Sequence, residues 1–427
     1  MKDLFKTIIK DFQSKSIKSF IYRDYAIPTK INKIITLIGP RRSGKTYLIY
    51  QIISEIIKED NIENIVYINF EDERIEPEKS ELDNIIKAYQ ELYPNNDLEN
   101  VYFFFDEIQE IDGWEKFVRR IYDSISQKIF LTGSSAKLLS KEIATNLRGR
   151  TISFEVFPLS FKEFLKFKKI SAEDIHTSKN KAIINNFFGE YIEKGGFPEV
   201  VNFDQDITAL TLQNYFDVMI YRDVIERHSI ENHNALKQYS KKLINYISKE
   251  HSINKTYNEL KSQNIKISKD KLYEFNNYFQ DVYYFFNLNK YSQSIQTQES
   301  SIKKIYSIDT GMNSAMSIDV SKNIGRQLEN IIFLHLRRKN SQLFYHKKNK
   351  ECDFLVYNNN QIKHAIQVSI NLDDNETLKR EINGIIEVMK TYNLQEGTII
   401  TMSEEKEMTI DTYKIKVVPA WKFLLEY

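Results

Sequence analysis

Apolar residues in the first third of the chain gather in short unbroken runs, each closed by glycine or by acids. KIITLIG (33–39), NIVYINFED (64–72), VYFFFDEI (101–108) and QKIFLTGSS (127–135) are four such runs. Their length and their β-branched and aromatic content predict strands buried on both faces. Between them apolar positions recur at helical spacing, in KTYLIYQIISEIIKE after the first run and in GWEKFVRRIYDSI (113–125) before the fourth. Strands alternating with helices predict an α/β fold with a parallel sheet covered on both faces.

After LRGRTISFEVFPLSF (147–161) the rhythm changes. Residues 161–235 read as mostly helical, interrupted by the glycine pair in EKGGFPEVV (193–201). In 236–310 come a helix (236–249), a shorter one (255–263), a third opened by Ser268 as N-cap, and two strands, VYYFFNLNKY and KKIYSID. That order resembles a winged helix, with the Ser/Gln stretch SQSIQTQESS as a flexible wing. From 325 onward a helix (325–339), strands at 342–346, 352–357 and 362–369, a long helix (375–392) and a closing strand and helix predict a second α/β domain. The expected division is 1–160 for the parallel-sheet domain, 161–235 for a helical connector, 236–310 for the winged-helix-like domain and 311–427 for the last.

Composition narrows the classes. At 427 residues the chain is too long for one ordinary core. A formal net charge of +1 gives no overall basic signature, so a nucleic-acid surface must be a local patch. The single cysteine, Cys352, excludes a disulfide framework and a cysteine-based zinc site, and fits a cytoplasmic protein. The histidines show no metal-ligand spacing, which leaves Mg²⁺ as the expected metal. The N-terminus lacks the pattern of a signal peptide, and no apolar run approaches membrane-spanning length.

The chemistry is densest after the first strand. Gly39-Pro40-Arg41-Arg42-Ser43-Gly44-Lys45-Thr46 has the spacing of a phosphate-binding loop, with Tyr47 next in line. Glycines let the backbone wrap phosphates with its N–H groups inward. Lysine reaches the terminal phosphates, and the threonine hydroxyl holds Mg²⁺. The third run ends in Asp106 and Glu107. There the aspartate can bind Mg²⁺, and the glutamate can orient and deprotonate an attacking water. The pair argues for hydrolysis of ATP rather than simple holding. Thr132, Ser134 and Ser135 sit at the tip of the fourth run, where they can contact the γ-phosphate or the water, or serve only the turn. In NLRGR, Arg148 and Arg150 are candidates to stabilise transition-state charge, with a surface ion pair as the alternative.

GPRRSGKT, YINFEDERI, FFFDEIQEIDGWEKFVRRIYD, LTGSSAKLLSKEIATNLRGR, FPLSFKEFL and GGFPEVV together resemble a prokaryotic family of predicted AAA+ ATPases with a C-terminal domain of unknown function. The likeness continues through YFDVMIYRDVIERH, IYSIDTGM and GRQLENIIFLHLRRK, and so spans nearly the whole chain. It implies an ATP-binding N-terminal domain, with Lys45, Thr46, Asp106 and Glu107 as the Walker residues and Ser134 or Ser135 in the sensor region. It also suggests a homo-oligomer, since arginine fingers in AAA+ proteins often act across subunits, with a monomer or dimer, as in non-ring relatives, as the alternative. It delivers no substrate.

The last domain raises a second site. Glu329 on a helix, Asp353 at the start of CDFLVY and Gln367 at the end of HAIQVS are spaced as in the restriction-endonuclease-like core, where acids bind Mg²⁺ for phosphodiester cleavage. The third acid is a glutamine here, and the usual lysine is Ser369; Lys350 or Lys363 are candidate substitutes. Both departures favour a nuclease-like fold without cleavage. SKDKLYEFNNYF (268–279) is the candidate recognition helix, offering Lys269, Lys271, Asn276 and Asn277; HLRRKN (335–340) and HKKNKE (346–351) are local basic clusters. YRDVIER (221–227) suits either a neighbouring site or a run of surface ion pairs. Two functions stay open: an ATPase coupled to duplex DNA, and an ATP-controlled switch acting on a protein partner.

Overall fold

The computed structural model describes residues 1–15, 19–75, 81–134, 147–172, 175, 177–317, 324–339 and 342–427. The chain forms two compact units, Met1–Phe157 and Pro158–Tyr427.

The first unit contains α1 (Lys2–Ser14), β1 (Ile34–Ile38), α2 (Lys45–Ile56), β2 (Ile65–Asn69), α3 (Asp83–Leu92), β3 (Tyr102–Asp106), α4 (Trp114–Ser124), β4 (Ile129–Gly133) and β5 (Thr151–Glu155). Its sheet runs β2-β3-β4-β1-β5 and every pairing is parallel. Because side chains alternate along a strand, one apolar run feeds two cores. Phe103 and Phe105 pack with α1, α3 and α4, among Phe5, Ile85, Tyr89 and Ile121. Phe104 faces the other way, with Phe130 and with Leu48 and Ile52 of α2. This explains why β1, β3 and β4 are buried at every position. The sequence reading did not assign β5, an edge strand whose residues are mostly exposed or half-buried and so carry little pattern.

The second unit opens with α5 (Phe161–Phe167), α6 (Ser178–Lys194) and α7 (Gln205–Val218), which runs on into a π-helical segment, Met219–Glu226. Next come α8 (His233–Ile244), β6 (Lys249–His251), α9 (Ile253–Ser262), α10 (Lys269–Asp281), β7 (Phe285–Leu288), α11 (Ile295–Ser300) and β8 (Lys303–Ser307). The three strands form an antiparallel sheet in the order β6-β8-β7. Ser268 caps α10 as expected, accepting from the Lys271 N–H. The Ser/Gln stretch is not the structureless wing expected of it: Ser294 accepts from the Thr297 N–H and starts α11.

The remainder is α12 (Thr310–Met316), α13 (Ile324–Arg338), β9 (Gln342–Lys347), β10 (Glu351–Asn358), β11 (Gln361–Val368), α14 (Asn375–Tyr392), β12 (Glu396–Thr401), β13 (Lys406–Ile410), β14 (Tyr413–Pro419) and α15 (Ala420–Glu426). The mixed sheet has the order β13-β14-β12-β11-β10-β9. β9, β10 and β11 form an antiparallel meander, and β11 is parallel to β12 across α14. One closing strand was expected where three occur, because β13 and β14 make a half-exposed hairpin with weak alternation.

The glycine pair has a definite task within this unit. Gly195 has φ +74°, and a Cβ there would lie 2.1 Å from Asp309 Oδ1. The buried Asp309 carboxylate accepts the Gly196 N–H at 2.7 Å and the Met312 N–H at 2.9 Å. One aspartate thus ties the end of α6 to the start of α12.

Candidate functional site

The C-terminal ends of β1, β3 and β4 lie together at one edge of the parallel sheet, the usual place for a ligand in such a fold. The chain leaves β1 through Gly39, where a Cβ would stand 2.2 Å from the Val156 carbonyl oxygen, so any larger residue displaces backbone. Gly44 has φ +94° and turns the loop into α2, whose N-terminus has no side-chain cap and no acid in its first turn. Such a helix start attracts an anion. The buried Arg23, from the segment before β1, fastens the loop from behind by donating to the carbonyls of Ser43 at 2.8 Å and Phe157 at 2.9 Å.

Lys45 is buried, and its Nζ donates to the carbonyls of Pro40 at 3.1 Å and Gly39 at 3.2 Å. It also lies 3.3 Å from Glu107 Oε1. Thr46 Oγ1 donates to Asp106 Oδ2 at 2.8 Å. The predicted loop lysine therefore meets the predicted glutamate, and the predicted threonine meets the predicted aspartate. Arg41 turns to Glu71 at 2.5 Å; Arg42 takes a left-handed φ of 66°; and Tyr47 is mostly exposed, edge-on to Tyr50.

The two acids have opposite surroundings. Asp106 is sealed at the end of β3, accepting from Thr46, from Thr132 Oγ1 and from Tyr67 Oη at 2.9 Å. Burial, and Glu107 beside it, raise its carboxyl above the ordinary range. Burial also opposes the charge on Glu107, but Lys45, Gln109 and Arg41 outweigh it and hold that carboxyl below the ordinary range. Gln109 Nε2 donates to Glu107 Oε2 at 2.6 Å. Glu107 has φ 52°, a left-handed conformation unusual for glutamate, and its N–H donates to Thr132 Oγ1 at 2.8 Å. Backbone strain of this kind collects at functional positions.

Polar atoms without partners mark where a ligand would complete the site. Among the described residues, Ser43 Oγ, Ser134 Oγ and Gln109 Oε1 are buried and make no hydrogen bond. The loop, the free helix start, the Thr46–Asp106 pair and these orphaned atoms fit a nucleotide polyphosphate with a divalent ion. Ser135 lies outside the described residues.

Arg150 does not reach this edge from its own chain, and Arg148, exposed with a left-handed φ of 50°, precedes it by two residues. The Arg150 carbonyl pairs with the Ile34 N–H at the start of β1, whereas the loop leaves its far end. Four residues of strand, roughly 13 Å at ~3.3 Å each, intervene. Arg150 instead pairs with Asp123 at 2.9 Å and lies over Tyr122. Sequence reasoning missed Tyr67, Gln109 and Arg23. A tyrosine inside an apolar buried strand was the available hint for the first; nothing in the sequence marks Arg23.

In the second unit the structure brings Glu329 of α13 and Asp353 of β10 together, with a partner the sequence did not announce. Lys304 Nζ of β8 lies 2.8 Å from Asp353, 2.9 Å from Glu351 and 3.2 Å from Glu329. Tyr306 Oη donates to Glu329 at 2.7 Å, and the Val368 N–H to Asp353 at 3.0 Å. Gln367 is held by protein partners: its amide donates to Glu381 at 2.6 Å and its oxygen accepts the Asp353 N–H at 3.2 Å. Burial would favour the neutral amine at Lys304, but Asp353 and Glu329 outweigh it and raise its pKa well above the lysine range. Burial, together with Asp353, pushes the Glu329 carboxyl up to about 7. Among the described residues no group of three or more His, Cys, Asp or Glu side chains is arranged to hold a metal ion. Neither expected substitute lysine enters the cluster.

The basic clusters are partly consumed by the fold. Arg338 donates to the carbonyls of Pro158 at 2.9 Å and Leu159 at 3.1 Å, and His335 is buried. His346 meets Glu387, and Lys347 pairs with Glu250. Of the 221–227 run, Asp223 is buried rather than at the surface.

The parallel sheet and the glycine-rich loop at its edge fit an AAA-type domain, and residues 31–165 match the family described as "AAA domain". Residues 185–323 match a second, described as a domain of unknown function (DUF8612). The uncharacterized protein MJ1544 of Methanocaldococcus jannaschii is 43% identical over the whole of this chain and 96% of its own length, and the chain belongs to that protein's family. An uncharacterized protein of Haemophilus influenzae is 28% identical, covering 92% of this chain and 94% of its own. The crystal structure of Cdc6p from Pyrobaculum aerophilum aligns over 68% of this chain and 87% of its own at 13% identity, with a TM-score of 0.25, too low to carry an argument. Among the described residues no helix is long and apolar enough to cross a membrane.

Proposed function

We propose that the first unit binds and hydrolyses ATP with Mg²⁺, and that the second passes the nucleotide state to duplex DNA. The observation that carries the ATPase reading is the meeting of Lys45 with Glu107 and of Thr46 with Asp106 at the end of the parallel sheet. With nucleotide bound, Lys45 Nζ leaves Glu107 for the terminal phosphates. Thr46 Oγ1 and Asp106 would hold Mg²⁺, which would neutralise phosphate charge. Glu107, released from its ammonium, takes the proton of the attacking water on a carboxylate oxygen. Ser134 Oγ, buried and without a partner, would hydrogen-bond to the γ-phosphate or that water. An arginine finger, if used, comes from another copy in a homo-oligomer.

The DNA reading rests on the second unit. The order helix–strand–helix–helix–strand, then the short α11 and a last strand, with β8 between β6 and β7, supports a winged-helix-like segment whose wing carries a helical turn. Lys261 at the end of α9, Lys266 in the turn after it and Lys269 at the start of α10 are exposed, as is Asn277 on α10 itself. The order α13, β9–β10–β11, α14, β12 supports a restriction-endonuclease-like core, and a glutamine in place of the third acid, held by Glu381 and the Asp353 N–H, supports its being without cleavage. A second reading, a switch acting on a protein partner, is favoured by the apolar side chains Ile207, Leu210, Val218 and Tyr221, exposed along α7 and its π-helical continuation.

The deciding measurement is ATP turnover with and without duplex DNA, with Lys45→Ala as the blank. Stimulation by DNA, lost in the blank, supports the coupled reading. Turnover indifferent to DNA, with no salt-dependent gel shift, moves the assignment to a protein partner. No turnover with or without DNA refutes the ATPase reading.

A further inference from the structure

We propose that the acid pocket between β8, α13 and β10 is a cation site whose occupant is the chain's own Lys304 ammonium, standing where a divalent metal would otherwise sit. The proposal rests on the reading of this domain as nuclease-like without cleavage, and supplies its cause.

Carboxylate oxygens from three side chains lie 2.8, 2.9 and 3.2 Å from Lys304 Nζ, a spacing set for an ammonium and, as it stands, not for a metal ion. A Mg²⁺ or Mn²⁺ ion needs such oxygens at about 2.0–2.2 Å. Each would have to move by only about an ångström. The ligands are already steered: Tyr306 Oη orients Glu329, and the Val368 N–H orients Asp353. Outer partners of this kind normally accompany a metal site. Lys304 fills it completely, for its side chain is 3% exposed and touches all three acids at once. A lysine acting beside a metal would leave the acids room for the ion; this one takes the room itself. The ammonium carries one positive charge and cannot polarise a bound water as a divalent ion does, so the pocket serves as a clasp between β8 and the mixed sheet.

The prediction follows from emptying the pocket. Wild-type protein, nucleotide-free, should show no Mn²⁺ binding by electron paramagnetic resonance that depends on Asp353, and should not nick supercoiled plasmid in Mg²⁺ or Mn²⁺. Lys304→Ala should lose thermal stability in EDTA and regain it with millimolar Mn²⁺. It should bind Mn²⁺ at least ~10-fold more tightly than Lys304→Ala/Asp353→Asn. Lys304→Gln, which keeps a donor, gives a second folded background. Three results overturn the proposal: Asp353-dependent Mn²⁺ binding by wild type, Lys304-dependent nicking by wild type, or a folded Lys304 variant that Mn²⁺ neither binds nor stabilises. If neither variant folds, the wild-type arm decides alone. ATP turnover is read separately, so failure of the ATPase reading leaves this test intact.

Discussion

Replacing Lys45 with alanine is usually done to abolish nucleotide binding, but here it should also unbalance the nucleotide-free protein. Lys45 and Glu107 are both buried, and their charges are 3.3 Å apart. At an effective dielectric of ~20 the gross attraction is about 5 kcal/mol, from which desolvation takes a large share back. Removing one partner leaves the other charge buried, at a cost of about 3–5 kcal/mol. Protonation of Glu107 caps that cost. Holding a carboxyl of ordinary pKa ~4.3 neutral at pH 7 costs about 3.7 kcal/mol, falling by about 1.4 per pH unit toward acid. The sign differs between the proteins. In wild type the depressed Glu107 contributes stability above its unfolded pKa, lost as pH falls. In Lys45→Ala burial and Asp106 raise it, so stability is lost as pH rises. The gap between the two should therefore widen from pH 5 to pH 7, reaching about 3 kcal/mol in urea unfolding. Lys45→Met with Glu107→Gln should recover most of it. A pH-independent gap below about 1 kcal/mol, or a double-mutant coupling near zero, would refute the ion pair as the resting state.

Gly39→Ala should abolish ATP binding in a fluorescent-nucleotide titration while leaving the fold intact by circular dichroism, because its Cβ meets the Val156 carbonyl at 2.2 Å. Buried Asp309, its carboxyl pushed up to about 6, contributes stability below its unfolded pKa that is lost as pH rises through 6. In Asp309→Asn the urea midpoint should lose that slope, lying below wild type at pH 4.5 and approaching it at pH 7.5; an unchanged slope would count against the assignment. Alanine at Lys261, Lys266 and Lys269 together should flatten the salt dependence of duplex binding by about 2–3 in log–log slope, each phosphate contact being worth ~0.9; an unchanged slope would place the DNA elsewhere.

The sequence was most legible where one residue type has one physical meaning. The loop glycines, Lys45 and Thr46, and the acids closing an all-apolar strand each belong to a pattern few other structures produce, and the geometry brings them together. Edge strands such as β5 were illegible because an exposed strand has no alternation to read. Arg150 follows the ion-pair alternative, pairing with Asp123, because nearness in sequence to a tip of the sheet says nothing about which end the chain returns to. Lys304 was the deepest omission: it lies 25 residues before Glu329 and 49 before Asp353, in a strand read only as half of a hairpin. A buried ion pair between distant segments leaves no local trace.

β8 has a practical bearing on how the protein can be dissected. The domain limits suggested by sequence invite a cut near residue 310, separating the winged-helix-like segment from the mixed sheet. Such a cut would leave Lys304 on one fragment with no counter-charge. The other would keep Glu329, Glu351 and Asp353 crowded together with no cation. Each fragment would then bear a buried charge defect made by the scissors rather than by nature, and its misbehaviour would say nothing about the intact chain. The boundary after Phe157 spares that cluster, which makes Pro158–Tyr427 the piece to express.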